Sequence, residues 1–173
     1  ELITAGNVTV NNISAADSNN VTNLTIDAVG VITFETAKST FNALNVEADG
    51  AVNAMIDIET DVGALLIDAN DDNAAAGTNL LTVAAGVTLT SAAGITLDAT
   101  TGGITFTGAG TLNAVNGVTI NDAVTATAGT LTIDADTDND GTGTFTTIAT
   151  GTISSGIQTL DITAGDVVIG ATV

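Results

Sequence analysis

Residues 131–143 read Leu-Thr-Ile-Asp-Ala-Asp-Thr-Asp-Asn-Asp-Gly-Thr-Gly. The first half alternates along an extended chain. Leu131, Ile133 and Ala135 point one way, and Thr132, Asp134 and Asp136 the other. The second half is an acidic turn that ends in glycine. The same strand unit, apolar-x-apolar-acid-Ala, recurs at residues 24–28, 44–48, 65–69 and 95–99. One short unit used many times is the signature of a repeat architecture.

The composition agrees with strands. Hydrophobic residues make up 45% of the 173, enough for a packed core in one domain. The apolar set is Ala, Val, Ile and Leu with four Phe, one Met and no Trp or Tyr, which suits many thin, similar layers. Proline is absent and there are 19 glycines, so turns fall to Gly, Asn and Asp. The net charge is −19, with Lys38 the only basic side chain. Nucleic acid is excluded as a partner, because nothing neutralises phosphates, and an anionic membrane surface is disfavoured for the same reason. Divalent cations are the natural counterpart, and the charge keeps a repetitive β protein soluble. There is no cysteine, signal-peptide pattern or membrane span, so no direct membrane insertion is expected. A start at Glu1 rather than Met is expected of a processed or excised piece.

The chain reads as one domain, 1–173, with 1–60 less regular and 61–173 carrying the cleaner repeats. All four Glu lie in the first segment. Residues 36–48 place Phe41, Leu44 and Ala48 on one helical face, but 44–48 also matches the strand unit, and strand is the preferred reading. Further on, short strands follow Gly86, Gly94, Gly103, Gly117 and Gly129, too closely spaced for helical crossovers. Residues 65–99 can be laid over 131–164 with an offset of 66, including Gly77-Thr78 over Gly143-Thr144. That is about three coils of roughly 20–22 residues, the size of a solenoid rung. The steps 24 to 44 and 44 to 65, of 20 and 21 residues, fit one rung each. The fold expected is an all-β parallel solenoid of about eight rungs near 20 residues each, with a jelly-roll β-sandwich of a filament subunit as the alternative.

The run LTIDADTDNDGTGTF, followed by Thr/Ile/Ala/Gly repeats and then Leu160-Asp161-Ile162-Thr163-Ala164, resembles the repeats of filamentous-haemagglutinin-like proteins, large bacterial surface and secreted proteins. The resemblance is best over 65–173. It implies a right-handed parallel β-helix in an extracellular adhesin or filament.

Asp134, Asp136, Asp138 and Asp140 stand at alternate positions before Gly141. Asp-x-Asp-x-Asp-Gly from Asp136 matches the first half of an EF-hand loop, with hard carboxylate oxygens suited to Ca²⁺. Thr147 stands where the bidentate Glu belongs, so a complete EF-hand is ruled out and a Ca²⁺ site at a solenoid edge is the remaining metal reading. A solvated, aggregation-blocking turn is the plain alternative. Asp68, Asn70, Asp71 and Asp72 form a weaker second candidate. The strand acids Asp27, Glu47, Asp68, Asp98 and Asp134 share one motif position, so stacked rungs would bring some of them face to face.

Thr-x-Thr pairs such as Thr88/Thr90, Thr105/Thr107 and Thr125/Thr127 invite an ice-binding reading, but their spacing along the chain is uneven. Sequons at Asn7, Asn12, Asn20 and Asn23 cluster at the start and leave glycosylation open. No His, Cys, Arg or Tyr is present, which removes nucleophile–base pairs, zinc sites and arginine clamps. An enzyme is not expected. The function expected is structural and extracellular: a self-assembling filament or sheath subunit, or a stalk segment of a giant adhesin at the cell surface, with a Ca²⁺-dependent or ice-binding adhesin domain as alternative. Partners would be copies end to end, or flanking repeats of a longer chain, because neither terminus carries an evident cap.

Overall fold

The structure, a computed structural model, describes residues 1–74, 79–148, 153–154 and 159–170. The chain coils into a parallel β-solenoid of about seven turns. The first turn holds β1 (Leu2–Thr4), β2 (Val8–Val10) and a short helix, α1 (Ala15–Ser18). The second holds β3 (Leu24–Ala28), β4 (Val31–Phe34) and β5 (Ser39–Phe41), and the third β6 (Leu44–Ala48), β7 (Ala51–Ala54) and β8 (Ile58–Thr60). The fourth holds β9 (Leu65–Asp68), β10 (Leu81–Val83) and β11 (Thr88–Ser91), and the fifth β12 (Ile95–Asp98), β13 (Ile104–Phe106) and β14 (Gly110–Ala114). The sixth holds β15 (Gly117–Ile120), β16 (Val124–Ala126) and β17 (Thr130–Asp134), and the seventh β18 (Thr144–Thr147), β19 (Ile153–Ser154) and β20 (Thr159–Thr163). β21 (Asp166–Ile169) opens the next turn.

Every strand pairs in parallel with its counterpart one turn away, which excludes the β-sandwich. Sheet 1 runs β1-β3-β6-β9-β12-β15-β18-β21, sheet 2 runs β2-β4-β7-β10-β13-β16-β19, and sheet 3 runs β5-β8-β11-β14-β17-β20. One inward column of sheet 1 contains Leu2, Ile26, Val46, Ile67, Leu97, Ile120, Thr147 and Ile169. Its steps are 24, 20, 21, 30, 23, 27 and 22 residues. The uniform 20-residue rung therefore holds only from β3 to β9, and there are about seven turns, not eight. Extra residues are accommodated at corners, where they disturb no ladder bond. For the same reason the tidier strand motif beyond residue 60 goes with less even rung lengths, not more even ones.

The strand unit follows from this geometry. Its two apolar residues face the core, its acid faces out, and its Ala sits at the corner. Ala28, Ala48, Ala69, Ala99 and Ala135 are all fully buried at these corners. Ile67, Leu89, Ile95, Leu97, Phe106, Ile120, Leu131 and Ile133 all lie in the core as the alternation predicts. Each such side chain contributes roughly 1.5–3 kcal/mol on burial. Bulk is traded between neighbours: a side chain at Gly110 would strike the Phe106 ring. The stack is tight enough that a Cβ at Gly50 would lie 2.8 Å from the Gly30 carbonyl carbon.

Residues 39–41 and 44–48 are strands, as preferred over helix. Two readings change. Leu65–Asp68 belongs to sheet 1 and 131–134 to sheet 3. The 66-residue repeat therefore does not superpose whole coils. It repeats a strand-plus-corner unit on a different side; Gly77-Thr78 lie outside the described residues. The first turn is also partly capped. α1 takes the place of a sheet 3 strand, with a Ser14/Asp17 capping box. Ser18 Oγ donates to the Thr40 carbonyl at 3.0 Å, and Asn42 Nδ2 donates to the carbonyls of Asn19 and Val21.

Candidate functional site

Two acidic features arise from the stacking. The first is a ladder on the outer face of sheet 1. Asp27 pairs with Glu47, Glu47 with Asp68, and Asp68 with Asp98, so four acids occupy one column. Rungs are about 4.8 Å apart, close enough for repulsion. Asp134 shares the motif but lies on sheet 3, opposite Asn113 and Thr163, so it stands outside the ladder. A shallow depression of about 230 Å³ covers the ladder, bordered by Glu47, Asp68, Asp71 and Asp98.

Two of these carboxyls, Asp68 and Asp71, are held above the ordinary carboxylate value. Burial pushes Asp68 above the ordinary carboxylate value; the Asn70 N–H pulls it back, and Asp98, Asp71 and Glu47 push it further up. Burial likewise raises Asp71 and Asp49, with neighbouring acids adding to the effect. Asp122 was not singled out from the sequence. It occupies the corner position that Ala holds in other rungs, is buried, and accepts the Ala99 N–H at 3.3 Å. Burial raises its carboxyl, and the nearby Asp98 raises it further. The one available signal was Asn121-Asp122 standing where the unit has acid-Ala.

The second feature is the corner after β17. The structure brings together Asp136, Asp138 and Asp140, each offering a carboxylate oxygen within 4.8 Å of the others, the one such acidic group among the described residues. Asp134 is outside the group; its Oδ1 receives the Asp136 N–H at 3.2 Å. Asp136 does not point outward with Thr132 and Asp134 as the alternation suggested. The strand ends at Asp134, the chain turns, and the Asp136 side chain becomes buried. Its Oδ2 accepts the Gly141 N–H at 3.0 Å. Asp140 Oδ1 accepts both the hydroxyl and the N–H of Thr142, which hold this exposed carboxyl below its ordinary value. Asn139 and Gly141 adopt positive φ, +56° and +83°, which Asn and Gly tolerate best. Thr147 is a buried strand residue of sheet 1.

The corner after β9, the weaker candidate, begins with the same turn over its described residues, 68–74. Asp68 Oδ1 accepts the Asn70 N–H, Asn73 N–H bonds to the Asn70 carbonyl, and Asn73 has φ +53°. Asn70 is fully buried in the place of Asp136, and among the described residues no three acids converge here as Asp136, Asp138 and Asp140 do.

The remaining candidates are surface features. Sheet 2 carries an outward column Thr9, Thr33, Asn53, Thr82, Thr105 and Thr125. The next outward positions are mixed: Asn11, Glu35, Met55 and Ala84 precede Thr107 and Thr127, so a double Thr column forms on two adjacent turns. Asn7, Asn12, Asn20 and Asn23 are all exposed. Lys38 pairs with Glu59. No helix among the described residues is long and apolar enough to cross a membrane. Set against protein-family models, curated proteins and solved structures, the chain matches none.

Proposed function

We propose that this chain is a structural element of an extracellular surface assembly, a filament or sheath subunit or a stalk segment like those of filamentous-haemagglutinin-like proteins, whose rungs continue into another copy or into flanking rungs. One observation carries the reading: a single core column is open at both ends. Leu2 heads it at 46% exposure and Ile169 ends it at 58%, while Ile26, Val46, Ile67, Leu97 and Ile120 between them are buried. A further rung at either end would bury these side chains and pair the free strand edges. A cleft of about 360 Å³ opens on the first end, lined by Leu2, Val8, Ile13, Leu24 and Phe41.

The contact is head to tail, so it propagates rather than closes. α1 occupies the sheet 3 side of the first turn, which leaves sheets 1 and 2 as the stacking edges. The −19 charge opposes approach, so salt or divalent cations favour growth. The chain's inventory, without His, Cys, Arg or Tyr, supports a passive role over a catalytic one. Electron microscopy of the purified chain across salt concentrations tests the reading. Linear fibres one solenoid wide are expected at high salt, and Leu2→Lys, a change at an exposed position, should remove them. Isolated rods at every salt, or fibres unchanged in Leu2→Lys, would refute end-to-end stacking.

A further inference from the structure

The two twin corners differ at their buried centre. Asn70 is fully satisfied: its amide donates to Thr101 Oγ1 at 2.8 Å, and its Oδ1 accepts from Asn79 Nδ2 at 2.8 Å. Asn70 is thus held by neutral partners and needs no ion. Asp136 occupies the matching position, is 5% exposed, and has one oxygen, Oδ1, buried with no hydrogen-bond partner. A buried carboxylate oxygen without a donor is costly unless a cation supplies the missing charge. The two other acids that converge on it, Asp138 and Asp140, are exposed and open to solvent. The same opening turn carries an orphaned carboxylate and two converging ones here, and a self-satisfied amide in its twin.

We propose that the corner formed by residues 136–141 is a calcium site, with Asp136 as its buried anchor and Asp138 and Asp140 as its solvent-side carboxylates. The donors are all hard oxygens, and the chain has no His or Cys to favour a softer metal. An irregular loop with two exposed ligands suits the flexible coordination of Ca²⁺ better than the strict octahedron of Mg²⁺. The corner also lies beneath the last described turn. Ala135 N–H donates to the Thr163 carbonyl, and Gly165 N–H to the Gly143 carbonyl, at 2.8 and 2.7 Å. An ion here therefore tightens the turn that leads into β21. The site rests on the orphaned Asp136 oxygen and the two acids that converge on it, and is independent of end-to-end stacking.

Calorimetric titration of the whole chain with CaCl₂ at fixed ionic strength, beside MgCl₂, tests this. One saturable site per chain is expected, with a dissociation constant of about 10⁻⁴–10⁻³ M, the range of open extracellular sites. Mg²⁺ should bind more weakly. Asp138→Asn/Asp140→Asn, both at exposed positions, should weaken Ca²⁺ at least about tenfold and remove the Ca²⁺-induced rise in melting temperature. Asp71→Asn/Asp72→Asn removes the same charge at the twin corner and should leave both readouts unchanged. Circular dichroism checks that each variant is folded, and Asp140→Asn alone serves if the double variant is not. Absence of saturable Ca²⁺ binding overturns the proposal. So do unchanged binding in the 138/140 variant and equal loss in both double variants, the mark of diffuse attraction to an acidic surface.

Discussion

The corner after β9 and the corner after β17 share a strand unit, a turn and a backbone hydrogen-bond pattern, yet one is finished by an amide and the other by a carboxylate. Around Asn70 every polar group of the side chain finds a partner; around Asp136 one buried oxygen does not. The backbone shape of a solenoid corner is thus a matter of turn chemistry. Whether the corner is self-sufficient depends on a single side chain at its centre.

The largest effects should come from the strands that deliver the chain into these corners. Ile67→Asp and Ile133→Asp each place an unpaired carboxylate in the core, and each should cost several kcal/mol and unfold the neighbouring rungs. Thr132→Asp, one residue away on the outer face, should cost under about 1 kcal/mol in the same denaturant titration. Similar losses for Ile133→Asp and Thr132→Asp would show that the inside–outside assignment is wrong.

Exchanging the two centres should act with opposite sign. Asn70→Asp buries a charge and breaks the amide's donation to Thr101, which should cost roughly 1–3 kcal/mol at neutral pH. Asp136→Asn removes a buried charge, and in EDTA it should leave the melting midpoint unchanged or higher. A large loss in EDTA for Asp136→Asn would mean that the orphaned oxygen is not a liability in the metal-free chain.

The acid ladder beside the first corner predicts a pH dependence. Asp49, Asp68, Asp71 and Asp122 are raised above their ordinary values, so between the ordinary and the raised values the folded chain holds more protons than the unfolded one. Stability then increases as pH falls through that window. Asp17 and Asp140 are lowered, and their contribution is lost only at more acid pH, below the ordinary value. The melting midpoint should therefore rise on acidification from pH 7 towards the ordinary carboxylate range and fall on further acidification below it. A midpoint that declines steadily from pH 7 downward would contradict the raised carboxyls. The smallest effect is Glu47→Gln in the middle of the ladder. Relief of like-charge repulsion should add about 0.2–1 kcal/mol at low salt and less at high salt.

The strands were readable because a solenoid imposes the same alternation on each rung, and five of its strands also place an acid outward and an Ala at the bend. The sheet to which a strand belongs was not readable, because corner insertions change the count without changing the motif. That is why a 66-residue offset suggested whole turns and in fact joins sheet 1 to sheet 3. The trio Asp136, Asp138 and Asp140 was legible from spacing, but Asp136 was assigned the wrong side because strand alternation was carried one turn too far. Asp122 was missed because it replaces an Ala, and burial of an acid leaves little trace in a single sequence. The α1 cap was signalled only by Ser14 and Asp17, a short pattern that is easily passed over.

Sedimentation velocity on an edge-blocked chain addresses end-to-end stacking most directly. Gly170 N–H bonds back to Thr147, so the alternation of a parallel strand turns the Ile169 N–H to the free edge of β21. Ile169→Pro removes that donor and an exposed apolar side chain without removing a bond of the ladder. The wild-type chain at high salt should form species that grow with concentration, and Ile169→Pro should remain a monomer with an unchanged melting curve. A wild-type chain that stays monomeric under those conditions, or an Ile169→Pro chain that assembles equally well, would contradict it.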